Sequence, residues 1–223
     1  MEDLAEIIVK RTTLKEQVYE YLKNAITLGE IKPGERLIEE KISETLNVSR
    51  SPIREAVRLL EKDGLLEVNA SGGVTVANPT IEDYRNLYEI RVEMESLSAF
   101  YAARRRKIDE IVLMEKSIRD MEKEISANNV KGLLSVNLNF HEMVVRASHN
   151  PFLVSMTLQL RGINSFYRKA ILEGNPQYMR GALQDHKKIY MAIVNQDEQE
   201  AKNCMKAHIE HDYQSFMKVV ANQ

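Results

Sequence analysis

The sequence predicts a mainly α-helical protein built from two parts. Apolar residues recur at helical spacing along most of the 223-residue chain, which contains only 9 Gly and 5 Pro. Strand-like patterns occur only in a short stretch before residue 78, and the residues after Asn78-Pro79-Thr80 have the pattern of consecutive amphipathic helices. We therefore expect a first domain of helices and a hairpin over residues 1–78, and an all-α helical bundle over residues 79–223.

Three helices are predicted in the first domain. Residues 13–16, Thr-Leu-Lys-Glu, have the spacing of a capping box, and apolar residues then repeat at helical intervals. A turn at Pro33-Gly34 precedes a second predicted helix from Leu37 to Leu46. Ser49 is a suitable N-cap for a third helix, which we expect from about Arg50 to Lys62.

A β-hairpin is predicted directly after these helices. Leu65–Val68 and Val74–Val76 are strand-like runs, and the loop between them is rich in Gly and Asn, which tolerate positive φ. Helix, helix, tight turn, helix and hairpin is the order of a winged helix-turn-helix. In that fold the third helix enters the major groove of DNA and the hairpin approaches the neighbouring backbone.

The second domain is predicted to contain helices alone. Residues 80–83, Thr-Ile-Glu-Asp, form another capping box, which opens a long helix through Arg104. Polar, Gly or Pro breaks then recur near residues 106–109, 128–129, 149–151, 174–176 and 195–197. These breaks predict six helices in this part of the chain.

Composition excludes several classes of protein. Cys204 is the only cysteine, so an internal disulfide and a cysteine-based zinc site are both excluded. The N-terminus is acidic where a secretion signal is basic, and no apolar run approaches the ~18 residues that cross a bilayer. We therefore expect a cytoplasmic protein with no membrane segment. The net charge of −2 does not by itself indicate a nucleic-acid-binding protein, so that argument must be local.

The third predicted helix carries that local signal. Four basic residues follow one another at four-residue spacing: Arg50, Arg54, Arg58 and Lys62. Guanidinium groups bind guanine edges or phosphates with two hydrogen bonds, and Ser49 and Ser51 add hydroxyls at the helix start. The alternative is a solvated helix face on which Glu55 and Glu61 supply ion-pair partners. The preceding turn and the following hairpin favour a DNA-binding face.

The histidines form the second signal, because none precedes residue 141. The five are His141, His149, His186, His208 and His211. Asn137 and His141 lie one turn apart on one helix, and a bundle could bring His186 and His208 from later helices to the same interior point. Converging imidazoles are typical of sites for Zn, Ni or similar ions. The alternative is ordinary core or surface histidines.

Residues 12–77 resemble the DNA-binding half of the GntR family of bacterial transcription regulators. The resemblance is carried by residues 29–37, by VSRSPIREAVRLLEKDGLLEV at 48–68, and by GGVTV at 72–76. It implies operator contacts by residues on the third helix and at the hairpin tip, namely Ser49, Arg50, Ser51, Arg54, Ala70, Ser71 and Gly72. Glu40 departs from the family pattern, because relatives in the fatty-acid-responsive branch have there an Arg that touches DNA.

The second domain resembles the FCD subgroup of that family. The matching elements are residues 88–91 with Glu95, residues 137–141, Asp185-His186 and residues 205–209. The resemblance implies a metal held by Asn137, His141, His186 and His208, with open positions for a small carboxylate effector. Asn137 stands where the subgroup has Asp, so metal affinity should fall or the preference should shift away from hard cations, although three imidazoles remain sufficient for a Zn-like or Ni-like ion.

Arg91 has two interpretations. It could bind the effector carboxylate, or it could form an intrahelical ion pair with Glu95. Together the signals predict a homodimeric regulator, most simply a repressor, that binds a palindromic operator and responds to a carboxylate. One alternative is a regulator that senses the metal itself. A metal-dependent hydrolase is less favoured, because it needs a general base beside the metal, and the one candidate on the helix of residues 137 and 141, Glu142, points elsewhere. We therefore expect no enzyme.

Overall fold

The computed structural model describes residues 12–70, 72–175 and 178–221. The chain divides into two compact units, Met1–Asn78 and Pro79–Gln223. In the first unit the described elements are α1 (Leu14–Thr27), β1 (Arg36–Leu37), α2 (Glu39–Leu46), α3 (Arg50–Lys62), β2 (Leu66–Val68) and β3 (Val74–Val76). The three strands form an antiparallel sheet in the order β1-β3-β2. The predicted winged helix-turn-helix is therefore confirmed.

Helix α1 begins where the capping box predicts. The Thr13 hydroxyl accepts a hydrogen bond from the Glu16 amide, and the Glu16 carboxylate accepts one from the Thr13 amide at 2.7 Å. One face of α1 is buried and packs on α3. The buried apolar residues of the two helices are Val18, Leu22, Ala25, Ile26, Ile53, Ala56, Val57 and Leu60. Each large side chain buried here contributes about 1.5–3 kcal/mol, so this contact holds α3 in place.

The predicted start of the second helix, at Leu37, is wrong. Leu37 lies in β1, opposite Val74, and the helix begins at Glu39 after Ile38 as its N-cap. The amide of Val76 donates to the Glu35 carbonyl at 2.9 Å, so the extended backbone also continues before the strand. A strand of two residues is too short for alternation to appear in the sequence, and long-range pairing with β3 decided its conformation.

The second unit contains seven described helices and no strand in the part of the chain that the structure describes. They are α4 (Ile81–Arg105), α5 (Ile108–Ser126), α6 (Val130–Ala147), α7 (Pro151–Gln159), α8 (Arg161–Gly174), α9 (Tyr178–Val194) and α10 (Glu198–Ala221). Helix α4 lies at the centre and packs against α10, α6 and α9. Fully buried Ala99, Ala102 and Ala103 allow this close approach. None of the described helices is long and apolar enough to span a membrane.

The prediction of six helices is also wrong, because one expected helix is divided at Leu160. The Leu160 amide donates to the Thr157 carbonyl at 3.1 Å, which tightens the last turn of α7. The Thr157 hydroxyl donates back to the Leu153 carbonyl at 2.8 Å, a bond that bends helices. Neither Pro nor Asn stands at the division, and the nearest Gly, Gly162, lies inside the first turn of α8, so the sequence carries only a weak break signal there.

Candidate DNA-binding surface and metal centre

The predicted DNA-contacting residues of α3 lie on its exposed face. Ser49 occupies the N-cap with extended backbone, and its hydroxyl makes no capping hydrogen bond, so it remains available to a ligand. The exposed residues are Ser49, Arg50, Ser51, Arg54 and Arg58. Because the opposite face of α3 is buried against α1, the basic stripe can only face outward. The structure therefore presents the predicted residue types on one accessible surface.

Two of these arginines pair with carboxylates of α2 rather than with Glu55 and Glu61 of their own helix. Arg50 forms an ion pair with Glu40. The Arg54 Nε atom donates to Glu39 Oε2 at 2.9 Å. The two adjacent glutamates at the start of α2 are visible in the sequence. Their pairing with α3 could not be predicted, because the sequence does not show how close the two helices lie.

The hairpin tip is shaped by Asn69. Its side-chain oxygen accepts a hydrogen bond from the Gly73 amide at 2.7 Å, and its carbonyl accepts one from the Gly72 amide at 2.9 Å. Gly72 has φ of 80°, which favours glycine at this position. Ala70 and Gly72 are exposed at the tip, whereas Ser71 lies outside the described residues.

Three histidines converge inside the second unit, from α6, α9 and α10. The Nε2 atoms of His141 and His186 are 3.2 Å apart, those of His186 and His208 are 3.1 Å apart, and those of His141 and His208 are 3.2 Å apart. All three side chains are buried. Tetrahedral ligands at 2.0–2.1 Å from one zinc ion lie roughly 3.3 Å from each other. The triangle therefore has nearly the dimensions of a ligand set.

The protonation of these imidazoles makes the triangle suitable for a cation. Glu95 Oε2 lies 2.6 Å from His141 Nδ1, which places the proton on Nδ1 and leaves a lone pair on Nε2. Burial lowers the pKa of His141 to about 4, although the Glu95 carboxylate opposes this shift. Burial and the neighbouring His208 and His141 hold the pKa of His186 well below its usual value. Unprotonated nitrogens facing one point repel one another unless a positive charge lies between them.

Asn137 adds a fourth possible ligand. It lies one turn before His141 on α6, and its buried Oδ1 atom has no hydrogen-bond partner among the described residues. A buried amide oxygen left without a partner costs about 1–3 kcal/mol. A cation held by the three histidines would supply that partner. The donor set, three imidazole nitrogens and one amide oxygen, suits Zn or Ni better than Mg or Ca.

An ionic network that the sequence analysis missed surrounds the cluster. Arg168 pairs through both terminal nitrogens with Asp212, and its Nη1 atom donates to the Tyr178 hydroxyl at 2.6 Å. Its Nη2 atom also lies 3.4 Å from His141 Nε2. Asp212 follows His208 by four residues, so helical spacing could have indicated it. Arg168 and Tyr178 carry no comparable signal.

The carboxylates of this network remain charged. Burial by itself raises the pKa of Asp212, but the neighbouring positive charges, that of Arg168 first and that of Arg91 among the others, together outweigh burial and hold the pKa below its usual value. Burial likewise acts to raise the pKa of Glu95, and Arg91 with His141 reverses the effect. The centre therefore holds two carboxylates and two guanidinium groups beside His141 and His186, whose lowered pKa values keep them unprotonated. A metal ion would bring an excess of positive charge, which favours an anionic ligand.

The position of Arg91 is compatible with both interpretations, the ion pair with Glu95 and the binding of a carboxylate effector. Its Nε atom donates to Glu95 Oε1 at 2.6 Å, so the intrahelical ion pair is present. Its buried Nη2 atom has no hydrogen-bond partner among the described residues and lies 3.7 Å from Asp212 Oδ2. Arg91 and His141 line a pocket with a water-accessible volume of about 30 Å³, whose other walls include Leu138, Val145, Leu158, Leu160 and Asn164.

The two remaining histidines lie outside the cluster. His149 Nε2 is 3.1 Å from Glu110 Oε2, and His211 Nδ1 is 3.0 Å from Asp185 Oδ2. Among the described residues, His141, His186 and His208 form the one group able to hold a metal ion. Of the five histidines that cluster in the sequence, three therefore converge in the structure and two do not.

Comparison with known protein families identifies both units. The model of bacterial regulatory proteins of the GntR family matches residues 14–76, and the FCD domain model matches residues 86–211. The chain belongs to the GntR family. This GntR-family protein is a transcriptional regulator with a DNA-binding helix-turn-helix, and its second unit is an FCD domain.

Curated relatives and solved structures agree with this assignment. The GntR-family regulator is 32% identical to the HTH-type transcriptional regulator YdhC of Bacillus subtilis, over 92% of this chain and 91% of that protein. It is 28% identical to the Uxu operon transcriptional regulator of Escherichia coli, over 91% of this chain and 86% of that protein. The solved structure of E. coli McbR/YncC superposes with a TM-score of 0.81 at 22% identity, covering 94% and 98% of the two chains, which shows a shared fold.

Proposed function

We propose that this GntR-family regulator binds a palindromic operator as a homodimer and represses transcription until a small carboxylate binds at a metal in the FCD domain. The observation that carries the proposal is the convergence of three histidine Nε2 atoms, with the unpartnered Asn137 oxygen one helical turn before His141. Without a cation, the histidine nitrogens repel one another and the amide oxygen stays buried without a partner. A bound cation would remove both costs by accepting these atoms as ligands.

The metal would be a divalent transition ion, Zn or Ni, held by Asn137, His141, His186 and His208. When bound, it would supply a Lewis-acidic centre able to attract an oxygen ligand. Glu95 holds His141 in the tautomer that presents Nε2 to the ion. Asn137 contributes a neutral oxygen, so the charge of the site stays positive and an anion is the favoured additional ligand.

The effector carboxylate would enter the pocket between Arg91 and His141. The unpartnered Nη2 atom of Arg91 can donate a charge-assisted hydrogen bond to it. The pocket volume of about 30 Å³ corresponds to roughly two water molecules, which is the space of a carboxylate group. The other walls combine apolar side chains with polar ones, namely Glu95, Glu142, Thr157, Arg161 and Asn164.

Operator DNA would lie against α3 and the hairpin tip. The proposed contacts are made by Ser49, Arg50, Ser51, Arg54, Arg58, Ala70, Ser71 and Gly72. A homodimer presents two such surfaces, one for each half of a palindromic operator. The effector can release DNA only to the extent that it binds the released state more tightly than the DNA-bound state.

Elemental analysis of the purified full-length protein tests the central link. We expect about one Zn or Ni ion per chain in the unmodified protein, and almost none in His186→Ala. His149→Asn serves as a matched control, because His149 lies outside the cluster and asparagine tolerates its φ of 47°. Absence of metal from the unmodified protein, even after incubation with Zn or Ni salts, would contradict the proposal.

The small pocket also favours a second candidate, a regulator whose signal is the metal itself. Fluorescence anisotropy with an operator duplex separates the two candidates. If Zn or Ni alone changes operator affinity, the metal is the signal; if acetate, succinate or citrate is also needed, the carboxylate is. The hydrolase alternative has less support, because the Glu142 carboxylate is already paired with Arg146 and Arg161 and is not available as a general base.

A further inference from the structure

The ion pair between Arg50 and Glu40 is too exposed to stabilise the first unit. The side chain of Arg50 is 52% exposed and that of Glu40 is 64% exposed. Exposed ion pairs contribute about 0–1 kcal/mol to stability. The pair joins α2 to the basic face of α3. Its main effect is therefore on DNA binding by Arg50, because a phosphate or base must compete with Glu40 for the guanidinium group.

Glu40 also changes the character of the α2 N-terminus. Glu39 and Glu40 both lie in the first turn of α2, where the helix dipole and the free amides would otherwise attract a phosphate. In a helix-turn-helix the first of the two helices crosses the DNA backbone. A carboxylate there has only acceptor oxygens, as a phosphate has, so close approach of the two is repulsive.

Glu39 is placed differently. Its side chain is 27% exposed, and it accepts a hydrogen bond from Arg54 Nε, which leaves the terminal nitrogens of Arg54 directed away from that bond. Glu39 is therefore suited to positioning Arg54. Glu40 is more exposed than Glu39. Its carboxylate can therefore contact the same DNA base pairs that Arg50 contacts.

We propose that Glu40 is a specificity-determining residue for DNA, which weakens binding to unrelated sequences and accepts a hydrogen bond from a cytosine amino group beside the base that Arg50 contacts. The inference rests on the proposed operator contact of Arg50. On unrelated DNA, Arg50 would leave Glu40 for a phosphate, and the carboxylate would remain uncompensated near the backbone. On the operator, the N4 amino group of cytosine supplies a donor in the major groove, which carboxylates accept.

The test begins with selection of binding sites by the full-length protein from a pool of random-sequence duplexes. Affinities for a selected duplex and for a scrambled duplex are then measured by fluorescence anisotropy at 50 and 200 mM salt. The proteins compared are the unmodified chain, Glu40→Gln, and Glu20→Gln as a control that removes one exposed carboxylate from α1.

Glu40→Gln is expected to bind the scrambled duplex about three- to tenfold more tightly at 50 mM salt, because a phosphate contact becomes available. This gain should shrink roughly three- to fourfold at 200 mM salt, as one additional phosphate contact requires. Affinity for the selected duplex should rise less or fall. Glu20→Gln should change neither affinity more than about twofold. Selection repeated with Glu40→Gln should lose a cytosine preference next to the base pair whose preference Arg50→Ala removes.

Equal gains on both duplexes would overturn the inference, because they would indicate a general charge effect. An unchanged cytosine preference after Glu40→Gln would overturn it as well. If the unmodified chain selects no sequence at all, the proposed operator contacts fail and the inference fails with them. A chain that selects a sequence but shows no effect of Glu40→Gln loses only the inference, so the two failures are distinguishable.

Discussion

Arg54 in the first unit and Arg168 in the second each pair with a carboxylate, but their surroundings differ. The side chain of Arg54 is 60% exposed, whereas that of Arg168 is 1% exposed. An exposed arginine exchanges its partner at little cost, because water solvates whichever group is left behind. A buried arginine cannot separate from its partner without leaving a charge in a medium of low dielectric constant. The first arrangement suits contacts that form and break with DNA, and the second suits a centre that must stay assembled.

The largest effect should follow from removing the carboxylate of the buried pair. Asp212→Ala leaves Arg168 and Arg91 without their shared partner, which should lower the free energy of unfolding by about 3–5 kcal/mol. Asp120→Ala is the matched control, since it removes a carboxylate from an exposed pair with Lys123 and should change stability by no more than about 1 kcal/mol. Urea unfolding of both variants measures the difference. Equal losses of stability in the two variants would show that burial does not distinguish these ion pairs.

Acid should destabilise the buried centre next most strongly. Burial lowers the pKa of His141 from its usual 6.5 to about 4, so the unfolded chain binds more protons between these values. Stability therefore falls as the pH falls from 6.5 towards 4, by about 3 kcal/mol in total. The lowered pKa of Glu95 acts in the same direction at lower pH. Urea unfolding at several pH values, in the presence of a chelator, measures the dependence, and a flat profile would contradict it.

Arg54→Ala tests whether the exposed arginine of α3 contacts DNA. If Arg54 contacts a guanine with two hydrogen bonds, operator affinity should fall by about 1–3 kcal/mol, or roughly 5- to 150-fold. Arg85→Ala, which removes an exposed arginine from α4, is the control and should leave the affinity unchanged. Anisotropy titration with a selected duplex gives both values. Unchanged affinity in Arg54→Ala would remove this residue from the DNA-binding set.

The smallest effect is expected for Glu40→Gln on stability. Because the pair with Arg50 is exposed, the free energy of unfolding should change by less than about 1 kcal/mol. Urea unfolding of this variant beside the unmodified chain measures the change. A loss of several kcal/mol would show that the pair supports the fold and would weaken its assignment to DNA specificity.

Local sequence signals predicted most of the fold. The capping boxes at Thr13 and Thr80 place the starts of α1 and α4, and α3 occupies the predicted range of Arg50–Lys62. Caps and helical spacing depend on residues within four positions of each other, so they are visible in the sequence. Strand β1 and the division at Leu160 were missed, since the first depends on pairing with β3 and the second falls at a leucine, which commonly continues a helix.

The candidate metal centre was predicted in part. Histidine clustering left both a metal site and ordinary core histidines open, the resemblance to the FCD subgroup implied Asn137, His141, His186 and His208 as ligands, and the structure brings the three histidines together. The partners that control them were not indicated, because Glu95 is 46 positions from His141 and Asp212 is 44 positions from Arg168. The same limit applies to Glu39 and Glu40, whose arginine partners lie on another helix.

Neighbouring residues specify most of the helices, the positions where most of them begin and the side chains available for DNA and metal chemistry. Which charges are buried depends instead on contacts between residues far apart in the chain. Packing of α4, α6, α8, α9 and α10 excludes water from the histidines and their ionic partners, whereas the arginines of α3 stay exposed beside α2. Solvation follows from that packing, and it makes one set of ion pairs exchangeable and the other permanent.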